Sequence, residues 1–420
     1  MGRSHGGKVN ATVAEHSADE ATEPKPTPGV LDGIRVLDFG RYVAGPFCSA
    51  LLADLGAEVI RIDRVGGSED RLVMPTGEGG TGSLFLHVNR NKLSMTLAPQ
   101  KDGGREVLEQ LVATSDVVVA NMPQKTLEQM GIDYESLKAI KPDIILTSVS
   151  AFGNGGPSSN RLGFDGIGQA MSGAAYLSGY ADQPVKAYVP YVDYSTAMCC
   201  AFGTLAALMA RAQSGQGQIV EGSLLATALT IINPTLIEQA LAGANRTATL
   251  NRSQISGPSD IFRTRDGWII VQVIGQSMFE RWARLVGAED LIGDARFASD
   301  DLRGENGEEL SRTMSEWCRA RTRAEALDLL SNARIPAGPV SSPQEALDDE
   351  HSRQAGFFSP MDYPGLSKPA PVVAAPVKLS RTPGRLHRRA PTVGEHTDMI
   401  LRRLGFDDAA IRELRAAGTV

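Results

Sequence analysis

The chain is poor in cysteine and aromatic side chains, and it has no excess of positive charge. Its four cysteines, Cys48, Cys199, Cys200 and Cys318, include no C-x-x-C pair. That spacing is what a zinc or redox site needs, and two adjacent cysteines seldom staple a secreted domain. A reduced, cytoplasmic interior is therefore the expectation. Acidic residues outnumber basic ones by 49 to 42, for a formal charge of −7. Non-specific nucleic-acid binding needs clustered Lys and Arg to displace counterions, so that class is excluded. Any polyanionic ligand must be held by a few local groups. Residues 1–30 lack the apolar core of a secretory signal. The most apolar uncharged run, Tyr194 to Ala210, is shorter than the ~20 residues of a bilayer span, so no membrane partner is expected. Walker, H-E-x-x-H, G-x-S-x-G and EF-hand spacings are absent, and the six histidines are scattered, so no metal site is expected.

What is present is a repeated alternation of short apolar runs and amphipathic segments. Residues 1–30, rich in Ala, Glu, Thr, Ser and Pro, read as a mobile tail. A strand is predicted over Ile34–Phe39, then a helix from Pro46 with Phe47, Leu51 and Leu55 on one face, closed by Gly56. Further strands are predicted over Glu58–Ile62, Val117–Ala120 and Ile144–Ser150. Intervening helices span about Arg105–Val112 and the segment between Asp133 and Pro142. This spacing predicts a parallel sheet covered on both faces. A long small-residue helix follows, from about Ser195 to Ala212. The pattern changes near Ala242, where residues 245–345 read as a smaller α+β unit with a strand over Trp268–Ile274. A Pro-rich connection, Pro360 to Pro376, returns the chain to helices near 396–404 and 407–417. The expected organisation is an α/β large domain over 31–235, the small domain over 245–345, and a return to the large domain over 365–420.

A strand–Gly–helix–strand–Asp63 unit invites a dinucleotide reading, but the glycines of Gly40-Arg-Tyr-Val-Ala-Gly45-Pro46 do not fit G-x-G-x-x-G. A nucleotide-bearing ligand at the carboxyl ends of the strands stays open, because open α/β sheets bind there. Asp193 lies where the long helix starts. It reads either as a plain N-cap or as a carboxylate beside free helix amides that could receive an oxyanion. Ser195 and Thr196 offer equally good caps, and the surrounding small residues leave room for a large ligand. Asp165, in Gly163-Phe164-Asp165-Gly166, reads either as a turn aspartate or as a second site carboxylate. Arg381, Arg385, Arg388 and Arg389 read as a solvated surface strip.

Several blocks together resemble the class III CoA-transferase (CaiB/BaiF) family: LDGIRVLDFGRYVAGPFCSALLADLGAEVIRID, NRNKLSMTL, SDVVVANM, GIDYESLKAIKPDIILTSVSAFGNGGP, FDGIGQAMSG, VDYSTAMCCAFGTLAALMARAQSGQGQ and VGEHT. The resemblance runs from about Leu31 to Val420. It implies a Rossmann-like large domain, a smaller α+β domain and an interlocked homodimer. The implied activity moves coenzyme A from an acyl-CoA to a free carboxylic acid through an aspartyl-CoA thioester. CoA is then a substrate, and no permanently bound cofactor is implied. The family's nucleophile falls on Asp193, with Asp165 as a second acidic residue near the thioester. CoA contacts fall on Val43, Ala44, Arg64, Asn89, Lys92, Asn121 and Met122. Arg64 and Lys92 supply the local positive charge that the acidic chain otherwise lacks. Racemases of 2-methylacyl-CoA share this fold and use a His where Phe164 stands, so the resemblance favours transfer over racemisation. A CoA-binding protein without turnover is the remaining alternative. Two blocks depart from the common pattern. Asn121-Met-Pro-Gln-Lys125 stands where many relatives follow the Asn with an aromatic, an Arg and Pro-Gly, so a phosphate or adenine contact is expected to be shifted to Lys125 or lost. Asn251-Arg-Ser-Gln-Ile-Ser-Gly257-Pro258 stands where some relatives carry a run of glycines.

Overall fold

Short runs rich in Val, Ile and Leu form the strands β1 (Arg35–Asp38), β2 (Glu58–Asp63), β3 (Lys92–Thr96), β4 (Val117–Ala120) and β5 (Ile145–Ser150). A two-residue ladder, β6 (Gly179–Tyr180) with β7 (Gln183–Pro184), and then β8 (Ile219–Ser223) follow. The computed structural model describes Gly2, residues 29–77 and residues 81–420. The tail expected over 1–30 lies outside the described residues apart from Gly2, Gly29 and Val30. Six strands make one all-parallel sheet in the order β3-β2-β1-β4-β5-β8. Crossovers run through α1 (Ala44–Asp54), α2 (Ser83–Val88), α3 (Gly104–Ala113), α4 (Gln124–Met130), α5 (Tyr134–Ile140), α6 (Asp165–Met171) and α7 (Tyr191–Ser214), and α8 (Leu224–Ala242) follows β8.

Successive strand side chains point to opposite faces, so the sheet separates two cores. Leu37, Ile60, Ile62 and Val118 pack with Leu108 and Leu111 of α3 and with Ile400 and Leu414 of the C-terminal helices. Val36, Val59, Val117 and Val119 pack on the other face with Phe47 and Leu52 of α1 and Ala197 and Leu208 of α7. Each such large side chain contributes roughly 1.5–3 kcal/mol by leaving water. The continuous apolar strands follow from this two-sided burial.

The strand over Val117–Ala120 has the predicted bounds, and Asp133 caps α5, its carboxylate accepting the Ser136 amide at 3.1 Å. Other elements differ. Helix α1 begins at Ala44, two residues before Pro46, and the missing N–H of Pro46 still falls in the first turn, where no intrahelical partner exists. Helix α7 begins at Tyr191, four residues before Ser195, so Asp193 lies inside its first turn and caps nothing. By length and composition α7 and α8 are both apolar enough to cross a membrane. Helix α7 packs against α1 and β8, while Phe202 and Leu241 are 75% and 84% exposed.

The smaller unit holds an antiparallel sheet in the order β11-β10-β9, from β9 (Ser259–Arg263), β10 (Trp268–Gln272) and β11 (Ala337–Pro339). Phe262, Ile269, Phe279, Trp282 and Met314 form its own core. A hairpin of β12 (Phe358–Met361) and β13 (Ala370–Val373) leads back. The chain end then returns to the large sheet: the Ser94 amide donates to His396 Nδ1 at 3.2 Å, and the Ala98 amide to the Thr419 carbonyl at 2.8 Å.

Candidate active site

Strands β1, β2 and β3 step outward to one edge, and the chain then crosses back to set β4 on the other side of β1. The loops after β1 and β4 therefore diverge, and open α/β sheets bind ligands in the crevice so formed. A cleft of about 1010 Å³ lies there. Its wall takes residues 41–44 after β1, 62–65 after β2, 97–101 after β3, 121–123 after β4, 149–151 and 159–164 after β5, and Asp193 at the start of α7.

The turn after β1 is held rigidly. The Asn121 side chain accepts the Arg41 amide and donates to the Arg41 carbonyl, both at 2.7 Å, tying the two sides of the crevice together. Tyr42 follows at φ 61°, a left-handed conformation uncommon for a bulky residue, and its amide donates to Asp70 at 3.1 Å. Close approach is why Gly45 is glycine: a Cβ there would stand 3.0 Å from Gly40 Cα and 3.3 Å from Asn121 Cγ. The turn delivers the first residues of α1, Val43 and Ala44, to the cleft with no side chain capping their helix.

Beneath this turn lies a buried ionic lattice. The Lys92 ammonium donates to Asp38 and to the Pro46 carbonyl at 2.7 Å, and to Asn89 at 2.9 Å. Arg61 donates to both oxygens of Asp70 at 2.9 Å and to Asp63 at 3.1 Å, and Arg71 donates to Asp63 at 2.6 Å. Burial alone would raise the Asp38 carboxyl, but Lys92 and Arg61 hold it below its ordinary value. Burial likewise opposes the charge on Asp63, yet Arg61 and Arg71 hold that carboxyl at about 2. Buried charges of this kind are tolerated because each is paired and hydrogen-bonded.

Asp193 stands apart from that lattice. Burial, and then the charge of Asp165, push its carboxyl up to about 7. Asp165 is itself buried, and its Oδ2 accepts the amides of Val192 at 2.8 Å and Asp193 at 3.1 Å. Its Oδ1 accepts from Gln169, whose own side-chain oxygen accepts the Ala187 amide. The first-turn amides of α7 that the sequence left open for an oxyanion are thus taken by Asp165. Such a carboxylate, half-buried and poised near neutrality at a cleft wall, is the kind of group that serves as a nucleophile.

Of the residues singled out from sequence, Val43, Ala44, Arg64, Asn121, Met122 and Asp193 line this cleft, and Asp165 lies directly behind Asp193. Asn89 and Lys92 do not line it. Both are fully buried, and their side chains are spent on Arg61, Asp38 and the α1 turn. They support the cleft from beneath, because the Lys92 stem reaches under the turn to Asp38. Lys125 also stays outside the wall, on the exposed side of α4. Phe164 lies in the wall, its ring edge-on to Tyr42 with centroids 5.7 Å apart. Sequence reasoning passed over Arg41, Tyr42 and the lattice of Asp38, Arg61, Asp70 and Arg71, and met Asp63 only as part of a dinucleotide pattern. The available signal was charge set among Val, Leu and Ile in short strands, Asp38 in RVLD and Arg61 in EVIRID. Among the described residues, no group of three His, Cys, Asp or Glu is placed to hold a metal.

With that geometry in view, the similarities are informative. The family model described as CoA-transferase family III matches residues 31–397. The succinyl-CoA–D-citramalate CoA-transferase of Chloroflexus aurantiacus is 32% identical over 92% of this chain and 98% of its own. The succinyl-CoA:glutarate CoA-transferase of Mus musculus is 31% identical over 93% of this chain and 90% of its own. The crystal structure of a CaiB/BaiF family protein from Brucella suis superposes with a TM-score of 0.80 at 29% identity, over 90% of this chain and all of its own. The chain therefore belongs to CoA-transferase family III, the CaiB/BaiF family, and is an acyl-CoA:carboxylate CoA-transferase.

Proposed function

We propose that transfer runs through covalent catalysis on Asp193. An Asp193 oxygen attacks the thioester carbonyl of the donor, and the C–S bond breaks to leave an acyl–aspartyl anhydride and CoA thiolate. The thiolate attacks the aspartyl carbonyl, expelling the donor acid as its carboxylate and leaving an aspartyl-CoA thioester. The acceptor carboxylate then attacks that thioester, and the same steps in reverse release the new acyl-CoA. Each step exchanges one acyl bond for another, so neither ATP nor a redox partner is consumed. Water must be kept from the anhydride, which the half-buried setting of Asp193 favours.

The observation that carries this reading is the single carboxyl raised to about 7 in the cleft wall at the strand ends. Asp165 is assigned to hold the start of α7. Val43, Ala44, Arg64, Asn121 and Met122 are assigned to CoA, with Asn89 and Lys92 acting beneath them. Relatives named for succinyl-CoA with D-citramalate, glutarate or mesaconate support succinyl-CoA as donor and a dicarboxylic acid as acceptor. We also assign the exposed apolar faces of α7 and α8 to a second copy of the chain, and the enzyme to the cytoplasm. Four unpaired cysteines support that compartment.

Asp193→Ala is expected to lower transfer by at least about 10³-fold, in line with loss of a covalent nucleophile, while the protein stays folded. Mass spectrometry of acyl-CoA products across donor and acceptor acids reads this out. Hydroxylamine added with acyl-CoA should trap a hydroxamate at Asp193. Trapping at another residue moves the nucleophile. Deuterium wash-in at the α-carbon without an acceptor acid would instead mark an isomerase, for which Phe164 offers no titratable group.

A further inference from the structure

Arg41 is a cation that neither the lattice nor the chemistry above employs. Beneath the cleft, three carboxylates (Asp38, Asp63, Asp70) face three cations (Lys92, Arg61, Arg71). Arg41 is a fourth cation on top of that balanced set. Among the described residues no carboxylate lies within ion-pair distance of it. Its Nη1 donates to the carbonyls of Phe39 at 3.1 Å, Gly40 at 2.8 Å and Ile62 at 3.3 Å. Its Nε and Nη2 donate to nothing among the described residues, although the side chain lines the cleft. The Asn121 clamp on its own amide and carbonyl fixes where this side chain starts.

The anion that fits is decided by position. Arg41 follows β1 and reaches the Ile62 carbonyl of β2, close in the chain to the uncapped start of α1; Arg64, two residues beyond Ile62, lines the same cleft and holds Glu69 only at 3.5 Å on the surface. Burial and the like charge of Arg61 weigh against the protonated form of Arg41 and outweigh the favourable charges of Asp63, Asp70 and Asp38, so an incoming anion would relieve it. The Arg41 Nη1 is anchored on the end of β1 and on Ile62 of β2, not on α7, where Asp193 stands. A planar guanidinium edge and open helix amides together suit a phosphate.

We propose that Arg41 binds a phosphate of the CoA diphosphate through its Nε–Nη2 edge, in a site shared with the start of α1 and with Arg64. This rests on the assignment of the cleft to CoA. The test compares wild type, Arg41→Met and Arg41→Lys with an acyl-CoA and with the matching acyl-pantetheine thioester, which lacks phosphates. Arg41→Met is expected to raise KM for acyl-CoA about 10- to 100-fold, the range of a charge-assisted hydrogen bond. It should leave kcat/KM for the acyl-pantetheine, and KM for the acceptor acid, within about twofold of wild type on the same argument. Arg41→Lys keeps the charge but loses the fork, so its KM should fall between the two. Should the Met variant fold poorly, the Lys variant carries the same comparison. An equal loss on both thioesters overturns the proposal, as does a rise confined to the acceptor acid. Calorimetric titration of wild type with CoA separates the two levels. If wild type binds CoA and Arg41→Met binds it equally well, only the role of Arg41 falls; if wild type fails to bind CoA, the assignment of the cleft falls with it.

Discussion

At Asp193 a single side chain connects burial, pH and rate. With Asp193 as the proposed nucleophile, the attacking form is the carboxylate, and its pKa of about 7 places the titration in the physiological range. The rate at limiting acyl-CoA should therefore rise about tenfold per pH unit below neutrality and level off above it. Asp165→Asn removes the second cause of the shift and should move that limb to lower pH, as a pH–rate profile would show. Stability runs the opposite way. A carboxyl whose folded value lies above the unfolded ~3.9 holds its proton longer in the folded state, so stability is lost as pH climbs from about 4 to about 7. Asp193→Asn should accordingly raise Tm at pH 8 and leave it nearly unchanged at pH 4. Melts at both values decide this. The sequence offered Asp193 as a candidate through the block in which it stands. Its raised pKa was not legible, because that follows from burial and then from Asp165, which lies 28 residues away in sequence and meets it only in the fold.

Among elements, the start of α7 and the turn into α1 are set by partners distant in sequence. Asp165 accepts two amides of α7, so Asp165→Ala should cost about 0.5–2 kcal/mol, as loss of a cap does, and should lower kcat by displacing Asp193. Asp165→Asn, which keeps an acceptor, should lose less on both counts. Chemical denaturation and steady-state rates on the two variants compare them. Lys92→Met removes one partner of a buried pair and strands Asp38, at a cost of about 3–5 kcal/mol. It should also weaken CoA binding through the loosened α1 turn. Full stability in that variant would remove Lys92 from its supporting role. The helix periods and the strand over Val117–Ala120 were readable from local pattern. The helix starts at Ala44 and Tyr191 were not, because a strained Tyr42 and the carboxylate of Asp165 decide them.

In the whole molecule, a single chain leaves large apolar side chains of α7 and α8 in water, Phe202 and Leu241 among them. Large apolar patches on a surface are characteristic of interaction sites. If a second copy covers it, Phe202→Asp should shift the protein from dimer to monomer in sedimentation velocity and reduce transfer. An unchanged sedimentation coefficient would remove that face from any dimer contact. The sequence by itself determined a parallel sheet with two covered faces, four of its six strands and the smaller unit, since periodicity and chain-order patterns are local properties of the residues, whereas β3 and β8 were not predicted. It also determined the family, through blocks whose order and spacing persist along the chain. Only the tertiary structure decided which charged residues face the cleft and which lie under it. Lys92 and Arg41 are both cations near strand ends, and nothing in their local sequence separates them. The fold does: Arg41 follows the carboxyl end of β1 and lines the crevice that the crossover to β4 opens, whereas Lys92 starts β3 and reaches under the α1 turn to Asp38.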